Sequence, residues 1–298
     1  MSSLPLDGVI VVDKPQGWTS HDVVGKMRRI AGTKRVGHLG TLDPLATGVL
    51  PLVLNKATRL AQFYTKNEKS YRAVVRFGFS TDSYDADGKA TSEEVAFEAT
   101  EEGVRPLLGP FRGEFQQTPP PISAKKIGGT PAYKLARKNL AVELKAVAVT
   151  VTRIELISVE GAEATIAIDC SAGTYVRSIA HEMGVAAGCG AHLSALRRLQ
   201  SGDFGVEQSR TLPELESLAA EGRLGEAMLP AAELLPDFPL EIVDPTTAGQ
   251  IRQGRDFRVS PFHGAKGARY VKALTGAGEL IAIGEARLPH LYHPVLVL

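Results

Sequence analysis

The feature that most constrains this chain is the stretch 37–51, GHLGTLDPLATGVLP. Its glycines allow the backbone to turn tightly, and its threonine hydroxyls lie around a single carboxylate, Asp43. Pro44 restricts Asp43 to an extended conformation. The apolar run 49–54 that follows predicts a buried strand. The stretch is therefore a polar loop anchored to the core, which is where reactive groups are commonly placed.

Asp43 alone has an ordinary explanation, because aspartate before proline is also typical of turns and helix caps. Two other residues favour a catalytic role. Residues 69–77, KSYRAVVRF, alternate with a period of two and predict a strand with Tyr71 on its buried side. Arg177 falls in the first turn of a predicted helix, where a cation opposes the helix dipole unless an anion lies nearby. Asp43, Tyr71 and Arg177 are thus the candidate catalytic residues.

Length and composition allow several classes of protein. The 298 residues can form one large or two smaller domains, and the formal net charge of +1 means that nucleic-acid binding would depend on local patches. Cys170 and Cys189 form no CxxC pair, which favours reduced, buried thiols in a cytoplasmic protein. The beginning of the chain lacks a basic leader, and no apolar run has membrane-spanning length, so we expect neither a signal peptide nor a membrane.

A metal site is not expected. His290 and His293 are the tempting pair, but two histidines three residues apart without a third ligand are weak support for zinc. On a strand their side chains would also point to opposite faces.

A second segment has a different character. Residues 116–140 begin with a proline-rich run, turn at two glycines and then carry basic side chains around an aromatic ring. This composition suits contact with an RNA backbone, although a solvated basic helix face is the competing interpretation. The candidate RNA-binding residues here are Lys125, Lys126, Tyr133, Lys134 and Arg137.

The chain resembles the bacterial branch of the tRNA pseudouridine synthase B (TruB) family over nearly its whole length. The motifs that carry this resemblance are VVDKPQGWTSHDVV (11–24), GHLGTLDPLATGVLP (37–51), KSYRA (69–73), DSYDADG (82–88), SAKKIGGTPAYKLAR (123–137), CSAGTYVRSIA (170–180) and GCGAHLSALRRLQSGDF (188–204). Their number and order exclude coincidence.

The resemblance implies an α/β (α+β) fold with a mixed, mainly antiparallel central sheet. We expect a pseudouridine synthase catalytic domain at 1–236, with a thumb insertion at about 117–142. Residues 237–298 are expected to form a small, β-barrel-like PUA domain, and the short predicted strands and glycine turns of this part favour the same architecture.

The implied activity is isomerisation of uridine-55 in the TΨC loop of tRNA to pseudouridine, with no metal and no organic cofactor. By this resemblance Asp43 is the nucleophile or anionic partner at the sugar carbon, since a carboxylate suits a site that develops oxocarbenium character. Tyr71 stacks on the base and can take a sugar proton, and Arg177 pairs with Asp43. A covalent adduct and an elimination route both remain open.

The resemblance also implies RNA contacts. A base inside a folded loop must be extruded to reach a buried carboxylate, and His38 resembles the family histidine that fills the space left behind. A structural loop histidine is the alternative. Lys14 and the thumb resemble parts that contact the RNA backbone, although Ile122 stands where tyrosine is usual, which puts a stacking role there in doubt. The PUA-like domain implies contact with the acceptor stem.

Competing functions are a non-enzymatic RNA-binding or chaperone protein, the guide-RNA-dependent branch of the family, and a glycosidase. The HLGTLDPLATGVL stretch and the lack of a lysine-rich tail favour a stand-alone bacterial enzyme without guide RNA. A glycosidase needs a second carboxylate, and the acidic surface-loop context of Asp85 and Asp87 favours a structural role for both. The expected partner is the T-arm of tRNA, bound by a monomer.

Overall fold

The computed structural model describes residues 6–122, 126–127, 130–131, 145–260 and 267–298. The strands are β1 (Gly8–Lys14), β2 (Val36–His38), β3 (Thr47–Leu54), β4 (Lys69–Phe77), β5 (Gly113–Gln117), β6 (Lys126–Ile127), β7 (Thr130–Pro131), β8 (Val147–Glu160), β9 (Glu163–Cys170), β10 (Ala191–Ser201), β11 (Phe204–Gly205), β12 (Met228–Pro230), β13 (Leu240–Val243), β14 (Phe257–Arg258), β15 (Tyr270–Thr275), β16 (Leu280–Leu288) and β17 (Leu291–Val297). The α-helices are α1 (Ser20–Ile30), α2 (Glu101–Val104), α3 (Val176–Ala186), α4 (Leu212–Ala220) and α5 (Pro245–Arg252). Short 3₁₀ segments include Asn55–Tyr64 and Arg105–Phe111.

A ten-stranded mixed sheet forms the main body, in the order β12-β1-β3-β10-β4-β9-β8-β5, with β2 on β3 and β11 on β10. Strands β3 and β10 pair in parallel, whereas the other neighbours in this sheet are antiparallel. The predicted mixed, mainly antiparallel sheet is confirmed. The parallel pairing matters for the site, because it places β3, which follows the Asp43 loop, beside β10, which comes much later in the chain.

Strand β1 is buried on both faces. Ile10 and Val12 pack into a core beneath helix α1, whereas Val9 and Val11 pack into a second core on the other face. Helix α1 begins directly after the turn that follows β1 and has a capping box: the Thr19 side chain accepts from Asp22 N–H, and the Asp22 carboxylate accepts from Thr19 N–H. This strand, turn and helix unit supports the loop that carries Asp43.

The C-terminal strands form a separate five-stranded sheet in the order β13-β15-β16-β17-β14. The sheet curls into a half-barrel that is consistent with a PUA-like domain. Sequence patterns missed helix α5, which Asp244 caps by accepting from the N–H groups of Thr246 and Thr247. The domain boundary after residue 236 stays a prediction.

The segment at 229–239 is rich in proline, as linkers between domains often are, but it is packed. Leu234 and Leu235 lie in the second core together with Ile283 of the C-terminal sheet. The buried Lys272 donates to the carbonyl oxygens of Ala232 and Leu234, both at 3.0 Å. Apolar packing and buried hydrogen bonds therefore join the two sheets.

Four predicted thumb residues, Lys125, Tyr133, Lys134 and Arg137, lie outside the described residues, as does the side chain of Lys126. Their predicted RNA contacts stay predictions. In the described part of the chain, no helix combines the length and the apolar character needed to cross a membrane.

Candidate active site

A cavity of about 620 Å³ opens at the centre of the large sheet. Its walls come from the loop 40–43, strands β4, β8 and β10, and the segment 172–177 that leads into helix α3. Asp43, Tyr71 and Arg177 all line it. The structure thus brings the three predicted catalytic residues together, although they belong to segments far apart in the sequence.

Asp43 and Arg177 form an ion pair inside this cavity. The Arg177 Nε atom lies 2.9 Å from Asp43 Oδ2, and the side chains are 6% and 37% exposed, respectively. The N–H direction does not meet the geometry of a hydrogen bond, so the attraction is that of two close charges in a partly dry site. The carboxylate is held by a buried cation and still reaches the cavity, and the predicted anion near Arg177 is confirmed.

Arg177 is fixed from its other side by the turn at 83–85. Its Nη1 atom donates to the Ser83 carbonyl oxygen at 2.9 Å and lies 3.5 Å from Asp85 Oδ2. Asp85 is buried at 4% exposure, so the expectation of a surface-loop position was wrong for this residue. Burial raises the pKa of Asp85, while the Ser83 hydroxyl and the Arg177 charge act in the opposite direction.

Lys14 lies beneath the Asp43 loop and has no exposed surface. Its ammonium donates to the carbonyl oxygens of Trp18, Pro15 and Pro44 at 2.6, 2.9 and 3.2 Å. Burial lowers the pKa of Lys14 to about 8, although the nearby Asp43 carboxylate acts to raise it. The expected RNA contact is therefore corrected, because a cation enclosed by three carbonyls supports the loop instead of facing a phosphate.

Tyr71 projects from β4 into the cavity and is 8% exposed, which confirms that it lies on the buried side of its strand. Burial raises the pKa of its hydroxyl above the ordinary value, and the Arg198 guanidinium acts in the opposite direction. The phenol consequently stays protonated near neutral pH. Its ring offers an apolar surface and its hydroxyl a hydrogen-bond donor in the cavity that Asp43 also lines.

Comparisons with known proteins identify the family of the chain. Residues 28–176 match the model of the TruB family pseudouridylate synthase N-terminal domain, and residues 177–236 match the tRNA pseudouridylate synthase B C-terminal domain. The chain is 60% identical to the tRNA pseudouridine synthase B of Solibacter usitatus over 293 residues, which is 98% of this chain and 100% of that one. The chain belongs to the TruB family.

A second sequence relative and a solved structure extend the comparison. The protein named tRNA pseudouridine synthase B from Paenarthrobacter aurescens is 41% identical, with 93% of this chain and 91% of that one covered. Among solved structures, a chain of a Cbf5-Nop10-Gar1 complex matches with a TM-score of 0.73 and 29% identity, covering 98% of this chain and 84% of that one. The agreement in overall fold includes both sheets.

Arg198 lines the cavity and is a residue that our sequence interpretation missed. It is 1% exposed, and its guanidinium donates to the carbonyl oxygens of Val49, Gly40 and Thr41 at 2.7, 3.1 and 3.3 Å. The alternation of β10 could have found it, since Arg198 shares the inward face of the strand with Leu196. Arg198 ties both ends of the Asp43 loop to β10.

His38, the last residue of β2, does not line the cavity. Its half-buried ring contacts the ring of His21 edge to face, with centroids 5.9 Å apart. Burial and the charges of His21 and Arg198 lower the pKa of His38, so its imidazole is neutral near pH 7. A neutral, planar ring at this position suits stacking against a base and needs no proton.

Proposed function

We propose that this protein is a tRNA pseudouridine synthase that isomerises uridine-55 in the TΨC loop. The observation that carries the proposal is the Asp43 carboxylate, 37% exposed in the cavity and paired with the buried Arg177 guanidinium. The name tRNA pseudouridine synthase B, borne by relatives 60% and 41% identical to this chain, supports tRNA as the substrate class.

The reaction breaks the bond between C1′ of the ribose and N1 of the uracil, with Asp43 stabilising or attacking the electron-poor sugar carbon. The detached uracil turns in the cavity, and its C5 forms the new bond to C1′. C5 then loses its proton and N1, which carried the sugar in the substrate, gains one, so the product is an isomer of the substrate. A covalent Asp43 adduct and an elimination route have the same overall balance.

Arg177 and Tyr71 have complementary roles in this proposal. Because Arg177 is itself held by Ser83 and Asp85, it keeps the Asp43 carboxylate ionised and oriented before RNA arrives. The Tyr71 ring stacks on the uracil during rotation. Its hydroxyl is protonated, because burial raises the pKa of Tyr71. The hydroxyl can therefore accept a proton from the sugar only if it gives its own proton to another group.

Uridine-55 must leave the stacked loop to enter the cavity, and we assign the vacated space to His38. Lys125, Lys126, Tyr133, Lys134 and Arg137 are proposed to hold the RNA over the cavity. The C-terminal domain is proposed to contact the acceptor stem, and the protein to act as a cytoplasmic monomer without guide RNA. The full coverage of the Solibacter usitatus relative supports a stand-alone enzyme of the same kind.

The choice of nucleotide can be tested with unmodified tRNA transcripts and the purified full-length chain alone. Liquid chromatography of the nucleosides, which separates pseudouridine from its isomer uridine, should find one pseudouridine per tRNA, and a transcript with cytidine in place of uridine-55 should yield none. Pseudouridine formed equally in the substituted transcript would overturn the proposed target. A requirement for added guide RNA would overturn the stand-alone activity.

A further inference from the structure

Ser20, the first residue of helix α1, makes a two-way contact with the loop that carries Asp43. Its hydroxyl donates to the Leu42 carbonyl oxygen at 3.0 Å and accepts from the Leu42 N–H at 2.9 Å. Ser20 is 1% exposed and Leu42 is 4% exposed. One buried hydroxyl thus satisfies both backbone polar groups of the residue that precedes Asp43.

The Asp43 loop depends on such contacts because residues 40–46 belong to no helix or strand. Within the described residues, both hydrogen bonds of the Leu42 backbone run to Ser20. On the other side of Asp43, the Pro44 carbonyl oxygen accepts from Gly17 N–H at 2.9 Å and from the Lys14 ammonium. The end of β1, the turn after it and the first residue of α1 therefore hold the chain immediately before and immediately after the carboxylate.

We propose that Ser20 is a positioning residue for Asp43. By fixing both sides of the Leu42 residue, its hydroxyl fixes the peptide plane that leads into Asp43, and so directs the carboxylate at Arg177. Ser20 does not line the cavity, so it acts through the loop and not on the RNA. The inference rests on the proposed function, since it concerns the residue assigned to the chemistry.

The position of the Asp43 carboxylate is important because its partner, Arg177, is rigidly held. Arg177 is held by Ser83 and Asp85 and does not follow a displaced carboxylate at low cost. Without the Ser20 hydroxyl, the buried Leu42 N–H and C=O lose their partners, and the loop relaxes to find others. Displacements of about 1 Å in a catalytic group can lower a rate about 100-fold.

The experiment compares Ser20→Ala, Ser20→Cys and Ser20→Thr with Thr19→Ala in the full-length chain. Ser20→Cys adds little volume and weakens both hydrogen bonds, whereas Ser20→Thr keeps the hydroxyl. Thr19→Ala is the matched control, because it removes the capping box of α1 without touching Leu42. Single-turnover tritium release from 5-tritiated tRNA, tRNA Kd and Tm are measured for each variant and the wild type.

We expect Ser20→Ala and Ser20→Cys to lower the single-turnover rate by about 10- to 100-fold with Kd within about threefold of wild type. Ser20→Thr should restore most of the rate, and Thr19→Ala should lower Tm without lowering the rate. A wild-type rate in either folded Ser20→Ala or Ser20→Cys would overturn the inference, as would an equal loss of rate in Thr19→Ala. If Ser20→Ala fails to fold, Ser20→Cys decides; an inactive wild type would instead reject the proposed function itself.

Discussion

The Arg177 Nε atom lies 2.9 Å from Asp43 Oδ2, and the cation is far more deeply buried than the carboxylate that it meets. The pair links helix α3 to the loop between β2 and β3. Because the guanidinium also contacts Ser83 and Asp85, its position is set before substrate binds. This preorganised arrangement determines what each substitution in the site should do.

Replacing Arg177 with lysine keeps the charge and removes the planar guanidinium. An ammonium cannot reach Asp43, Ser83 and Asp85 in the same geometry, so the carboxylate loses its fixed direction. We expect Arg177→Lys to lower the single-turnover rate by about 100- to 1000-fold, as for loss of other preorganised electrostatic groups, with tRNA Kd within about threefold. Quench-flow tritium release and filter binding measure the two quantities.

The matched control for Arg177 is Arg153→Lys. Arg153 lies on β8 and pairs with Asp169 at 2.7 Å, but its side chain is 47% exposed, so the substitution should leave the rate unchanged. A near-normal rate in Arg177→Lys would contradict a directional role for the guanidinium. A parallel loss of RNA affinity would assign Arg177 to binding.

Asp85 should act through Arg177. Asp85→Asn removes the negative charge 3.5 Å from Nη1 while nearly preserving shape, so Arg177 becomes free to shift around Asp43. We expect a loss of about tenfold or more in the single-turnover rate, with little change in Kd. Asp87→Asn, which makes the same charge change on an exposed residue of the same turn, should retain the wild-type rate. Equal losses in both variants would point to the turn's overall charge instead.

Lys14 predicts a pH effect on the alkaline side. Burial lowers its pKa from 10.5 to about 8, so above that pH the amine keeps two donors for three carbonyl oxygens. The loop should loosen and the single-turnover rate should fall as pH rises past about 8. In Lys14→Met the rate should be low at every pH, and the fall in rate at alkaline pH should be missing. If the fall persists in this variant, it belongs to the RNA or to another group and contradicts the role given to Lys14.

The same shift has the opposite effect on stability. Between about 8 and 10.5 the unfolded chain binds the Lys14 proton more tightly than the folded chain does. The contribution of Lys14 to the free energy of unfolding is therefore unfavourable below pH 8 and is relieved as pH rises through this window. Urea unfolding of wild type and Lys14→Met across this range measures the difference, and a contribution that worsens with pH would contradict the assigned shift.

The three cavity residues were accessible from sequence because each leaves a local signal. Tyr71 follows from the alternation of β4, and Arg177 from a cation at a helix start. Asp43 follows from its glycine and proline neighbours. Their convergence was not accessible from the residues alone, since it depends on the parallel pairing of β3 with β10.

Supporting residues were harder to assign because their roles exist only in the folded chain. Lys14 has the sequence context of a surface cation, and only the folded chain surrounds it with the carbonyl oxygens of Pro15, Trp18 and Pro44. Asp85 sits among other acidic residues, yet the approach of Arg177 makes its burial tolerable. The proline-rich segment around Leu234 and Leu235 is a further example, because these side chains pack in a core that both sheets share.

The central claim is that Asp43 performs chemistry on a tRNA uridine. Its most direct test is tritium release from a T-arm stem-loop carrying 5-tritiated uridine, measured in EDTA for the wild type and Asp43→Asn, with Kd for the same RNA. We predict release by the wild type alone and affinities within a few-fold, since chemistry and backbone contacts are separate. Release by Asp43→Asn at the wild-type rate, or tight binding without release by either protein, would contradict the account.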